Sequence, residues 1–168
     1  MRYFWELSMD SKIFKCQMCG ECCKGEGGII VTLKEIERMA KYLSLTPSDF
    51  MDKFICKTPD GKLSLTVKKD GRCVFFDTEK KGCIVHPVKP DICLAWPFFK
   101  GNLEDEYSFF MAKEYCPGIL KDTKFDEFKK YGYFFLKKHN LLKDEENGPN
   151  ALKISVSGQC EWTTDHTH

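Results

Sequence analysis

Hydrophobic positions recur at helical spacing in three stretches of the chain. Leu33, Ile36, Met39, Ala40 and Leu43 mark one helix face, and Thr32 with Glu35 three residues on is the capping box that starts it. A second helix begins at Thr46-Pro47, where proline suits the first turn. It carries Phe50, Met51, Phe54 and Ile55, with Cys56 closing it. A third, longer helix opens at Thr123-Lys124-Phe125-Asp126, and its stripe of Phe125, Phe128, Tyr131, Phe135 and Leu136 reads as core packing.

Between these helices the period shortens. Ile29-Ile30-Val31 predicts a strand, and Leu63, Leu65 and Val67 alternate along another. Asp70-Gly71 turns the chain into a returning strand at Cys73-Val74-Phe75-Phe76, and Lys81-Gly82 turns it again into Cys83-Ile84-Val85. Pro90 starts a single helical turn carrying Cys93, and Pro97 stops it. The apolar run from Tyr107 to Met111 predicts a strand. So does Leu152 to Val156, beyond a charged Gly-Pro loop at 143–150, while Tyr3, Phe4, Trp5 and Leu7 predict an arm laid on the core. The expectation is one small α+β domain over residues 1–168, with short antiparallel strands, several helices and irregular metal-bound loops. Its motif core spans 13–117, and a C-terminal helix and tail span 118–168. A chain of this length buries roughly two thirds of its unfolded surface.

Composition narrows the function. The 26 basic and 25 acidic residues nearly cancel, which argues against a nucleic-acid surface. There is no apolar run of about 18 residues to span a membrane. Met1 to Asp10 shows no secretion-type cleavage site, so a cytoplasmic location is expected. Thiols stay reduced there, and dense cysteines read as metal ligands or redox groups.

The chemistry concentrates in Cys16-Gln17-Met18-Cys19-Gly20-Glu21-Cys22-Cys23, which puts four of the ten cysteines into eight residues. Each Cys-x-x-Cys step turns two thiolates towards one centre, so this loop is built to wrap a metal. The glycine-rich Lys24 to Gly28 lacks the Lys-Ser/Thr of a phosphate loop, and its glycines instead let backbone amides approach sulfur. Cys73 and Cys83 each follow a glycine turn, a common way to present a ligand.

Two metals fit. The spacing of Cys16, Cys19 and Cys22 is that of bacterial ferredoxins, and Cys116-Pro117 resembles their remote Cys-Pro ligand. That grouping makes Cys16, Cys19, Cys22 and Cys116 the first set of ligands to a 4Fe-4S cluster. Cys23, Cys73, Cys83 and Cys93 are left for a second centre, because adjacent Cys22 and Cys23 diverge and suit two centres. Yet Cys16-x2-Cys19-Gly20 also reads as a zinc knuckle. Lys12, Lys15 and Lys24 offset the charge of four thiolates in either case.

Cys16-x2-Cys19-Gly20-x-Cys22-Cys23, Cys73-x-Phe75, Cys83-x-Val85-His86 and Lys89-Pro90-x2-Cys93-x2-Trp96-Pro97 together resemble the CxxCxxCC cysteine-cluster proteins. These are also called YkgJ-like or zinc/iron-chelating domain proteins. The resemblance covers roughly residues 13 to 117. It implies eight metal-binding cysteines, Cys16, Cys19, Cys22, Cys23, Cys73, Cys83, Cys93 and Cys116, and leaves Cys56 and Cys160 outside the pattern. Lys89 stands where many relatives have arginine. Some members are labelled Fe-S oxidoreductases, which implies electron transfer or assistance to a redox partner protein. The alternative is a zinc-binding structural or metal-handling module, and a third option is an enzyme acting at an iron with an open position.

Other candidates are weaker. His86 is a ligand, a proton relay or a turn residue ordered by Pro87. Asp91 reads as a helix N-terminal carboxylate, and Trp96, Phe98 and Phe99 as a dry shell beside the metal. No Ser-His-Asp order, paired catalytic carboxylates or Rossmann glycines are present.

Overall fold

A computed structural model describes residues 12–24 and 28–141; the expected N-terminal arm, the 143–150 loop and the strand at 152–156 lie outside them. The fold is small α+β, with short antiparallel strands in two small sheets. The chain divides into two compact units: one combines residues 12–21 with 95–141, the other runs from Cys22 to Leu94.

In the Cys22–Leu94 unit, β1 (Ile29–Ile30) leads to α1 (Leu33–Tyr42) and α2 (Pro47–Phe54). Both predicted helix starts are present: Thr32 and Glu35 form the capping box, and Thr46 caps α2 with Pro47 in its first turn. Strand β2 (Ile55–Lys57) follows directly, so Cys56 lies in a strand opposite Ser64 rather than closing the helix. Strand β3 (Leu63–Leu65) is the centre of a three-stranded sheet, antiparallel to both β1 and β2. Because both edges of β3 are taken, residues 73–76 do not return along it. Only a single bridge, Val67 to Cys73, remains of that predicted hairpin. Instead β4 (Phe76–Asp77) pairs with β5 (Gly82–Cys83), setting Phe76 against Cys83. Ile36, Met39, Ala40, Phe50, Leu65, Phe75 and Val85 make the core. The short helix α3 (Asp91–Ala95) carries Cys93, as Pro90 predicted.

The other unit is helical: α4 (Lys100–Glu104), α5 (Glu106–Tyr115) and α6 (Phe125–Lys138). The aromatic stripe of α6 does pack inward. Phe98, wholly buried, is its hub, with ring centroids 5.5 Å from Phe14, 5.0 Å from Phe128, 5.4 Å from Tyr131 and 5.2 Å from Phe135. Gly132 lets α6 come close, since a Cβ there would stand 2.4 Å from Leu103 and 2.9 Å from Phe98. Residues 13–15 are pinned across the unit by Lys15 N to Gly118 O at 2.8 Å and Leu120 N to Ile13 O at 3.1 Å.

One strand prediction fails here. Tyr107 to Met111 is the middle of α5, whose start is capped by the Asp105 carboxylate accepting from Ser108 N at 2.7 Å. Phe109 and Ala112 turn inward, but Tyr107, Phe110 and Met111 are apolar and exposed, so no polar face betrays the helical period.

Candidate metal centre

The division between the two units falls inside the cysteine motif, between Glu21 and Cys22. Cys16, Cys19 and Cys116 belong to the helical unit, and Cys22, Cys23, Cys73, Cys83 and Cys93 to the other. All eight are free thiols.

Backbone pairing accounts for four of the five, and α3 carries the fifth, Cys93. The 3-10 turn Glu21–Cys23 ends with Cys23 O accepting from Cys73 N at 2.7 Å, and Lys24 bridges to Arg72. The β4–β5 pairing brings Cys83 alongside, with Ile84 N donating to Phe75 O at 2.9 Å. The sulfurs feel one another. Cys23 is pushed far up from the ordinary thiol range, first by its hydrogen bond with Cys22, then by burial and by the charges of Cys22, Cys73 and Cys83. Burial, with Cys83 and Cys22, pushes Cys73 up to about 11, although the Phe75 amide and Lys68 pull against it. Burial, then Cys73, Cys22 and Cys83, drive Cys93 up as well. Cys22, grouped by ferredoxin spacing with Cys16, Cys19 and Cys116, thus has sulfur neighbours in Cys23, Cys73 and Cys93.

In the helical unit Cys116 caps the end of α5 and is buried. Burial raises its thiol and the charge of Cys19 adds to this, while hydrogen bonds from the Gly118 and Ile119 amides and the Trp96 side chain favour the thiolate. Pro117 carries no N–H, so the next two amides are the ones that reach the sulfur. Trp96, expected as part of an apolar shell, is thus also a hydrogen-bond donor to the Cys116 sulfur. Phe98 is the hub of the core, and Phe99 stacks edge-on to Trp96 at 5.3 Å. Gly20 takes φ of 81°, a left-handed turn that glycine allows directly after Cys19, in keeping with the Cys-x2-Cys-Gly spacing of a zinc knuckle.

The donor set suits a soft cation. Thiolates select zinc, copper(I) or iron-sulfur centres. The upward pressure that neighbouring thiolate charge puts on Cys23, Cys73 and Cys93 is relieved once a cation balances that charge. Among the described residues no three Cys, His, Asp or Glu side chains already stand close enough to hold a metal ion. His86 follows Cys83 in a 3-10 turn (His86–Val88). Its Nε2 is buried without a hydrogen-bond partner among the described residues, and burial, helped by Lys89, holds the imidazole below its usual value.

The segment that delivers Cys93 is clamped by α1. Buried Glu35 closes the capping box by accepting from Thr32 N at 2.6 Å and Thr32 Oγ1 at 2.7 Å, and it also accepts from Asp91 N at 2.7 Å. Arg38, one turn on, donates to Lys89 O at 2.9 Å and pairs with Asp91 at 3.0 Å. Asp91 is therefore the helix N-terminal carboxylate expected, with a cation partner the sequence did not reveal. Glu35→Gln swaps a charged acceptor for an amide that must aim its NH2 at one of these donors. We expect it to cost about 1–3 kcal/mol of unfolding free energy, read by urea titration. A loss under about 0.5 kcal/mol would refute the clamp.

The sequence profile of the CxxCxxCC family, described as a "putative zinc- or iron-chelating domain", matches residues 15–117, more than half of the chain. The chain is also 27% identical over 139 residues to the uncharacterized protein MJ0661 of Methanocaldococcus jannaschii, covering 79% of this chain and 74% of that protein. No solved structure matches. No helix among the described residues is long and apolar enough to cross a membrane.

Proposed function

The chain belongs to the CxxCxxCC family of zinc- or iron-chelating domains, and from that premise we propose that its eight free cysteines hold iron-sulfur chemistry for electron transfer. The observation that carries this reading is the local structure that presents these cysteines within one unit: Cys73 N donates to Cys23 O, β4 pairs with β5 at Cys83, and α3 carries Cys93. These five supply one centre, and Cys16, Cys19 and Cys116 supply three thiolates in the other unit. A bound cluster would supply one-electron redox chemistry, passed to or from a partner protein. The chain's own contribution is to present the thiolates, to donate the Phe75, Gly118 and Ile119 amides and the Trp96 side chain to sulfur, and to exclude water by burial. Each buried thiol releases its proton as metal enters, so affinity should fall as pH falls.

A zinc-holding structural or metal-handling module is the second reading, favoured by the left-handed turn at Gly20. Protein made and purified without oxygen decides between them. Iron and acid-labile sulfide in stoichiometric amounts, with brown colour, support the cluster; stoichiometric zinc with neither sinks it. Cys22→Ser or Cys93→Ser should remove metal, whereas Cys56→Ser, in strand β2 and outside both sets, should leave metal content intact. Equal loss from Cys56→Ser would refute the ligand assignment.

A further inference from the structure

Helix α5 has two faces, and only one of them is accounted for by the core. Phe109 and Ala112 are buried, and Cys116 follows at the helix end. Tyr107, Phe110, Met111 and Tyr115 are 72%, 56%, 39% and 64% exposed. Their positions, with Glu114 among them, follow the i, i+3, i+4, i+7, i+8 spacing of a continuous stripe, here turned to solvent. Scattered exposed apolar residues are ordinary, but a contiguous band of two tyrosines, a phenylalanine and a methionine marks an interaction surface.

The charges around the band decide what fits it. Glu104, Asp105 and Glu106 are exposed at its beginning and Glu114 lies within it. Of the nearby cations, Lys113 turns back, its Nζ donating to Thr123 O at 2.9 Å, and Lys100 lies 4.0 Å from Glu104. The carboxylate of Asp105 is held below its ordinary range by its hydrogen bonds to Ser108, so it stays charged. A second copy packed on the same band would set carboxylates against carboxylates. An anionic membrane or nucleic acid meets the same repulsion. A segment with apolar residues on one side and lysines or arginines on the other satisfies both features.

We propose that the exposed face of α5 is a docking site for a basic amphipathic helix of a partner protein. Such a helix lays leucine-like side chains over Phe110, Met111 and Tyr107 and its cations over Glu106 and Glu114, the helix-on-groove mode of recognition. This rests on the surface alone and stands whichever metal the cysteines hold.

The probe is a labelled synthetic helix with leucine on one face and lysine on the other, read by fluorescence anisotropy against the full chain. We expect binding in the micromolar range, at least about threefold weaker when salt rises from about 50 to 300 mM. A Phe110→Ser/Met111→Ser variant should bind about tenfold more weakly with an unchanged melting temperature. Glu114→Lys, which leaves the apolar band intact, should weaken binding as well. The same peptide with glutamate for lysine should not bind. Equal affinity for the variants, or equal binding of the glutamate peptide, would overturn the proposal. So would a concentration-dependent increase in mass by ultracentrifugation that the double variant abolishes, since the face would then belong to a second copy.

Discussion

Protein stripped of metal by a strong chelator is expected to lose most of its cooperative melting transition in the Cys22–Leu94 unit. The sheets there are made of strands two or three residues long, and the connections between them are irregular. Cys22, Cys23, Cys73, Cys83 and Cys93 all belong to that unit, and all but Cys22 are half-buried. For a tight thiolate site, binding free energy is folding free energy, on the order of 10 kcal/mol, which rivals the whole stability of an ordinary domain. Even a loss of about 3 kcal/mol shifts the melting temperature of a unit this size by about 12–24 °C. Circular dichroism and calorimetry on verified metal-free protein are the measurement. An unchanged transition would mean that the apolar core alone carries the unit.

Truncating Phe98 is expected to be the most damaging single change in the helical unit. Its ring is fully buried and meets four other aromatic rings. Phe98→Ala removes that ring from a site closely bounded by Gly132 and Leu103, leaving a cavity the neighbours cannot fill. The expected cost is about 3–5 kcal/mol, and Phe98→Leu, which keeps most of the apolar volume, should cost clearly less. Urea unfolding of both variants reads the difference. If the two cost the same, or Ala costs under about 1 kcal/mol, Phe98 is not the hub.

Much of this was legible in the residues. Thr32 with Glu35, Thr46 with Pro47, and the stripe from Phe125 to Leu136 each encode a helix through local chemistry, and local chemistry is what a sequence displays. The Cys-x-x-Cys spacing likewise announces a thiolate loop. What stayed hidden depends on distant pairing. Nothing in Glu21-Cys22 says that the chain changes unit there; that follows from Cys73 N reaching Cys23 O and Lys15 N reaching Gly118 O. The second role of Glu35 is hidden for the same reason, because Asp91 lies far along the chain. The helical period of α5 is hidden in the sequence because its outer face is apolar too, and that same face is the one proposed to take a partner.

The placement of that change of unit also has a consequence during synthesis. Residues 12–21 leave the ribosome well before the rest of their unit, which begins only at Ala95. At the usual 5–20 residues per second, the delay is roughly 4–15 s. The Cys22–Leu94 stretch is complete before then, with all five of its candidate ligands, while Cys16 and Cys19 still wait for Cys116. Nascent chains would therefore meet metal first at the five-thiol unit, and the helical unit would close around its own three cysteines afterwards.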